Sequence, residues 1–389
     1  MAFQSHLLAP LQQMMLRDSL ADCRAGAHVE QLGIVFEFPV PAPQVAAAWT
    51  VMIAQAEVLR MAFVLETPIP SHWQAAAALG SMTCPGQAPA DFEKWLEMDR
   101  SMPLCHPCST PWRAVYWVSE QRFLWSFHHA LLDGRSITSL TRYFLECLFE
   151  NVVPPPLGIT HWSPSNTAMR ARALKYFHEN FSDLAPAAPP PRSTSFSKIS
   201  QTLDLTIMES LKSCAAELAV SPATLLLWAW GQAIARVAGM PHAIIEQVRC
   251  GPPQPGRLGF SMNTLPLLIP RCNGGTAVKA AIKLLGQQLR YLREIEAISP
   301  LEQPAMVREL TSSAWSSVVM IETCPLDKLS AMQQGVRSIT LHENPGASLT
   351  ATARITSGLR LEGEGNASAE LLKMWEQSLT QLCSQCAWL

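Results

Sequence analysis

The sequence predicts a layered α/β fold in two lobes, and three observations carry that expectation. Patterns of short buried strands and amphipathic helices alternate in both halves of the chain. At 389 residues the chain exceeds one ordinary domain and suits two lobes of roughly 150–200 residues each. The stretch 185–192 (APAAPPPR) is its densest in proline, and the Ser/Thr-rich residues that follow read as a linker. The expected division is therefore 1–184 for a first lobe, 185–198 for the linker and 199–389 for a second lobe.

The elements follow in chain order. Prolines within 38–43 separate an early apolar run from an Ala-rich helical stretch over 45–63. Residues 123–127 (FLWSF) read as a fully buried strand, followed by a turn and a helix over 136–151. Ile137, Leu140, Phe144 and Leu148 give that helix one apolar face. Prolines 154–156 end the block. In the second half a strongly apolar helix is expected over 221–237, strands over 265–269 and 317–321, and a closing amphipathic helix over 369–383.

Composition narrows the function. Hydrophobic residues make up 48% of the chain and charged ones 15%, with Lys+Arg at 29, Asp+Glu at 31 and a net charge of −2. That balance argues against nucleic acid or an anionic membrane as the main partner, since both select concentrated basic surface. The most apolar window, 225–235, holds Gln232 and is closed by Arg236, well short of a membrane span. The 11 cysteines form no framework and no signal peptide is readable at the start. A soluble cytoplasmic protein with reduced thiols is the expectation. Two CxxC pairs, 105–108 and 383–386, have the spacing of a zinc knuckle, but they lie far apart and the second sits on a helical pattern. No metal site is expected.

The chemistry concentrates in residues 127–136, FHHALLDGRS, where a buried strand meets a helix start. Side chains and free backbone N–H groups converge at such junctions. His128, His129, Asp133 and Gly134 form the pattern HHxxxDG. Adjacent strand residues point in opposite directions, so one imidazole faces the reaction space while the other packs inside. Acyl transfer to an amine or alcohol needs a base that works near neutral pH, which imidazole supplies. It also needs donors for an oxyanion, and backbone N–H groups around Gly134 are candidates. Asp133, if buried, calls for a cationic partner.

HHxxxDG resembles the signature of the condensation domains of nonribosomal peptide synthetases, within the chloramphenicol acetyltransferase-like folds. Three further blocks are similar to that family: residues 8–20 (LAPLQQMMLRDSL), 57–63 (EVLRMAF) and 258–267 (LGFSMNTLPL). Fainter echoes at 221–239 and 319–326 keep the family's order along the chain. The resemblance implies two chloramphenicol acetyltransferase-like lobes in a V arrangement, with the active site between them. It makes His129 the catalytic histidine and His128 structural. It implies that Gly134 is small so that donor and backbone approach closely, and that Arg60 pairs with Asp133. Asn263 and Thr264 are expected to face the substrate cleft.

The implied activity is that of a free-standing acyltransferase. It would condense a carrier-protein-bound acyl thioester with an amine or hydroxyl acceptor, without a covalent acyl-enzyme. The partners implied are acyl or peptidyl carrier proteins and a small-molecule or carrier-bound acceptor. Phosphopantetheine belongs to those substrates, and the enzyme itself needs no metal or organic cofactor. Two other readings stand beside this one: a small-molecule N/O-acyltransferase using coenzyme A thioesters, and an inactive condensation-like module that docks a carrier.

Overall fold

The computed structural model describes residues 6–21, 26–65, 72–106, 109–185, 197–272, 275–312, 315–322, 325–344, 347, 349–355, 358–365 and 368–386. Its contacts divide into two compact units, each assembled from several stretches of chain. The first comprises Met1–Ser163, Cys250–Met262 and Pro325–Gly346, and the second Pro164–Arg249, Asn263–Cys324 and Ala347–Leu389. This differs from a single division at 185–198, because two later segments return to the first unit. Most of that expected linker, 186–196, lies outside the described residues.

In the first unit a five-stranded sheet runs Val336–His342, Val29–Phe36, Arg122–His128, Trp112–Trp117 and Met82–Thr83. Its pairs are antiparallel except the last, which is parallel. The FLWSF segment is the central strand Arg122–His128, buried from Phe123 to His128. Its alternate residues serve opposite faces. Phe123 and Trp125 meet Trp49 of helix Ala42–Gln55, and Phe123 meets Phe144 of helix Gly134–Glu150. Leu124 instead packs with Leu96 of helix Phe92–Ser101 and with Trp117. These rings form the aromatic core that holds the strand rigid.

Helix Gly134–Glu150 buries Ile137, Leu140, Phe144 and Leu148, as its spacing predicts, and Thr141 and Leu145 besides. Asp133 caps its start, and Asn151 ends it in the left-handed conformation at φ 56°. The helix expected over 45–63 is shorter. It ends at Gln55, and a 3-10 turn Glu57–Arg60 leads into a buried strand, Met61–Phe63. That strand pairs with His72–Ala75, so sheet hydrogen bonds replace the helical ones there. A two-stranded ribbon, Gly158–Ile159 with Arg257–Leu258, ties the segment 250–262 into the same unit.

The second unit has a six-stranded sheet ordered Met262–Pro270, His242–Cys250, Ser317–Glu322, Leu349–Ile355, Leu359–Gly365 and Ser197–Leu203. Helix Pro222–Val237 lies in its core, capped at Ser221 and buried from Thr224 to Ala235. Its Trp230 indole N–H donates to Ser317 Oγ at 3.1 Å and stacks obliquely on Trp375, 4.8 Å between centroids. Gly231 lets helix and sheet touch: a Cβ there would lie 2.6 Å from the Ile269 side chain. The expected strands and closing helix appear as Met262–Pro270, Ser317–Glu322 and Ser368–Cys386. The tryptophans at 112, 117, 125, 228 and 230 are all buried.

No single described helix is long and apolar enough to cross a membrane. Described free thiols are Cys84, Cys105, Cys147, Cys250, Cys272 and Cys383. Cys214, buried on helix Leu205–Leu218, is disulfide-bonded, which departs from the expectation that every cysteine is reduced.

Candidate active site

The central strand of the first unit ends at His128, and a short 3-10 turn, His129–Leu131, carries the chain toward the Asp133 cap. The turn rotates successive side chains apart, and the two histidines meet different surroundings. His128 is fully buried. Its Nδ1 accepts the Ala130 N–H at 3.1 Å, so the ring proton resides on Nε2, 2.9 Å from Ser19 Oγ. Ser19 in turn donates to the Ala27 carbonyl. Both ring nitrogens are therefore used, and burial pushes the pKa well below the usual imidazole value.

His129 is arranged otherwise. Its side chain is 14% exposed. Its backbone N–H donates to the His28 carbonyl at 2.7 Å. Its Nδ1 lies 3.1 Å from the Leu132 carbonyl oxygen and 3.1 Å from Glu30 Oε1. A carbonyl can only accept, so Nδ1 carries the proton and Nε2 is left with a lone pair. Among the described residues no group bonds Nε2. Phe260 presents its ring edge-on to the imidazole, 5.8 Å between centroids. Burial and the neighbouring His28 push His129 down to about 4, while the Leu132 carbonyl and Asp133 pull it back. The ring is thus a neutral base at physiological pH.

That displacement has a stability consequence with a definite sign. The folded value lies below the ordinary 6.5 of the unfolded chain, so between these two pH values the unfolded state binds more protons. The contribution is fully present above about 6.5 and lost as pH falls toward about 4, amounting to about 3 kcal/mol. Thermal melts at pH 7.5 and pH 5 should show His129→Gln losing less stability on acidification than the unaltered protein. Equal losses in both proteins would contradict this.

Asp133 is 2% exposed and its carboxylate is met by donors rather than by a cation. Oδ1 accepts the Ser136 N–H at 2.9 Å. Oδ2 accepts the Ser261 N–H at 3.1 Å and the Ser261 hydroxyl at 2.6 Å. The backbone adds a second pair of stitches, Asp133 N–H to the Gly259 carbonyl and Gly259 N–H to Ser136 Oγ. The expected bridge to Arg60 is not formed: among the described residues no ion pair joins them. Three charge-assisted hydrogen bonds and the positive end of the helix already satisfy the carboxylate. Arg60 instead donates to the Ile53 and Ala54 carbonyls at the end of helix Ala42–Gln55.

Gly134 opens the helix on an exposed surface, and a Cβ there would meet nothing within 4 Å. Beside it a groove of ≈ 250 Å³ is lined by Asp133, Arg135, Ser139, Tyr143 and Arg257, with the prolines 252, 253 and 255 along one wall. Arg135 is held by the Gly251 carbonyl and Arg257 by that of Ile159. His129 does not line this groove.

Asn263 and Thr264 belong to the second unit. Asn263 is buried, and its amide donates to the Glu296 and Ile298 carbonyls at 2.8 and 2.7 Å. Its Oδ1 accepts the Thr264 N–H. The amide is thereby committed to backbone and has no donor left for a ligand. Thr264 is half-buried, with its hydroxyl 3.4 Å from Glu246 Oε1. Burial pushes the Glu246 carboxyl up to about 7, against the pull of that hydroxyl.

The residue that sequence reasoning missed is Glu30. A charge inside the strand segment VEQLGIVF is the only mark it leaves. Of the two CxxC pairs, Cys108 and the Cys386 side chain lie outside the described residues. Burial pushes the Cys105 thiol up to about 12. Among the described residues no cluster of three His, Cys, Asp or Glu could hold a metal ion.

Comparison with known proteins shows what the chain is similar to. The family profile named Condensation domain matches residues 4–298. Nonribosomal peptide synthetase 5 of Aspergillus fumigatus is 33% identical over 164 residues, covering 38% of this chain and 7% of that protein. A linear gramicidin synthase polypeptide of Brevibacillus parabrevis is 26% identical over 380 residues, covering 87% of this chain and 7% of that protein. The chain thus spans about 7% of the length of these curated relatives. The condensation domain of the monacolin K polyketide synthase superposes with a TM-score of 0.75 at 13% identity, covering 99% of this chain and 98% of that one. That likeness extends to the fold.

Proposed function

The chain belongs to the condensation-domain family, and from that premise we propose that it condenses a carrier-bound acyl thioester with an amine or hydroxyl acceptor. One observation carries the chemistry: the lone pair on His129 Nε2, enforced by the proton that Nδ1 shares with the Leu132 carbonyl. As the acceptor nitrogen or oxygen attacks the thioester carbonyl, Nε2 takes its proton. The C–N or C–O bond forms, a tetrahedral oxyanion develops, and its collapse breaks the C–S bond. The pantetheine thiolate leaves and recovers the proton from the imidazolium. Backbone N–H groups at the exposed start of helix Gly134–Glu150 suit the oxyanion. An acyl-enzyme is not part of the scheme.

The open surface at Gly134 supports a donor that approaches the backbone closely. Arg135 and Arg257 in the adjoining groove suit the phosphate of a pantetheine arm. Such cations would serve an arm on a carrier protein or on coenzyme A, so kinetics must separate the two. Octanoyl-loaded carrier protein and octanoyl-coenzyme A are to be compared with one amine, alanine amide, as acceptor. The carrier-bound donor should give the higher kcat/KM by about tenfold or more, since docking contacts add to the shared arm. Equal or better kinetics with octanoyl-coenzyme A would replace this reading with a small-molecule acyltransferase.

A further inference from the structure

We propose that Glu30 is a positioning residue for His129, fixing the ring's orientation and offsetting the positive charge it gains when Nε2 takes a proton. The inference rests on the acyl-transfer reading above for its kinetic part. Glu30 lies on strand Val29–Phe36, directly across from Phe127 of the histidine-bearing strand. It is 3% exposed and the one charged residue of that strand. Its Oε1 stands 3.1 Å from His129 Nδ1.

The Leu132 carbonyl accepts the Nδ1 proton, and the Glu30 carboxylate stands beside that N–H at ion-pair distance. The carbonyl sets the tautomer. The carboxylate adds what a carbonyl lacks, a full negative charge whose attraction grows once the ring is protonated. The surroundings make that charge matter. His28 disfavours a positive charge on the ring and Asp133 favours it, and Glu30 is, among the described residues, the carboxylate at ion-pair distance from Nδ1. Asp18 of helix Pro10–Ala21 sits beside His28 at 3.8 Å, whereas Phe260, from the segment 250–262, is uncharged. Without Glu30 the imidazolium would form in a buried setting with two other imidazoles beside it.

The step is balanced as before: Nδ1–H is retained throughout, Nε2 gains the acceptor's proton and later returns it to the departing thiolate. Glu30 takes no proton. Its effect is on the height of the barrier, not on the identity of the base.

Glu30→Gln keeps the shape and an acceptor oxygen while deleting the charge. Two measurements on the full chain decide the matter. In proton NMR at pH 7.5, the His129 Nδ1–H resonance, assigned by its loss in His129→Ala, should move upfield in Glu30→Gln because the negative charge beside that N–H is gone. With octanoyl-loaded carrier protein and alanine amide, kcat should fall roughly 10–100-fold, within the range a positioned base supplies, with KM unchanged. Glu30→Asp, which restores the charge one methylene farther away, should recover part of both signals, and it serves also if Glu30→Gln does not fold. An unmoved Nδ1–H resonance, or a loss confined to KM, would overturn the proposal, as would Glu30→Asp behaving no better than Glu30→Gln. Should the unaltered protein transfer no acyl group at all, the acyl-transfer reading fails, while the resonance still decides whether Glu30 holds the ring.

Discussion

His129→Ala should lower the rate of acyl transfer roughly 10²–10⁴-fold, the scale at which a positioned general base contributes. The loss should be larger for a hydroxyl acceptor than for an amine. An α-amine with a pKa near about 8 is already partly unprotonated at neutral pH, whereas an alcohol is not. The neighbouring histidine provides the control. His128 has both nitrogens engaged, by Ala130 N–H and by Ser19. Removing that ring leaves a cavity and unpaired polar groups, so His128→Ala should first lower the melting temperature or the soluble yield. Steady-state turnover with both acceptor types, alongside a thermal melt, separates the two effects. Near-wild-type turnover of His129→Ala with every acceptor would end the general-base assignment.

Much of what surrounds His129 was legible because it is local. The strand signal in FLWSF, the apolar face from Ile137 to Leu148 and the Asp133 cap each depend on residues close in sequence. The pattern HHxxxDG marked the junction for the same reason. What the sequence concealed is long-range. Ser261 reaches Asp133 across 128 positions, and no periodicity encodes a hydroxyl returning on a segment between two strands of another unit. Glu30 reaches His129 only because strand Val29–Phe36 pairs antiparallel with the histidine strand, a register that a hydrophobic pattern alone does not specify. The helix expected to run to residue 63 shows the converse. Local propensity favoured helix, but pairing of Met61–Phe63 with His72–Ala75 decided for strand.

Asp133→Ala should destabilise the protein by about 2–4 kcal/mol, combining a lost helix cap with lost hydrogen bonds to a charged group. Three donors would be stranded in a buried place: the Ser136 N–H, the Ser261 N–H and the Ser261 hydroxyl. Asp133→Asn should cost less, since asparagine also caps helices and its oxygen can still accept the Ser136 N–H. Its NH₂ would nevertheless face the Ser261 N–H, donor against donor. Double-mutant cycles then locate the partner. Asp133→Ala combined with Ser261→Ala should be less damaging than the sum of the singles by about 1–2 kcal/mol, because they remove one shared interaction. Asp133→Ala combined with Arg60→Ala should be additive within about 0.5 kcal/mol, because Arg60 spends its guanidinium on the Ile53 and Ala54 carbonyls. Thermal midpoints in one buffer suffice to compare the cycles, with transfer activity followed in parallel. Activity should fall with Asp133→Ala, since Asp133 ends the turn that presents His129, and should largely survive Arg60→Ala. Coupling between Arg60 and Asp133 as large as that between Ser261 and Asp133 would show that the guanidinium shares the carboxylate, and that the hydrogen bonds from the 250–262 segment are not what anchors the turn.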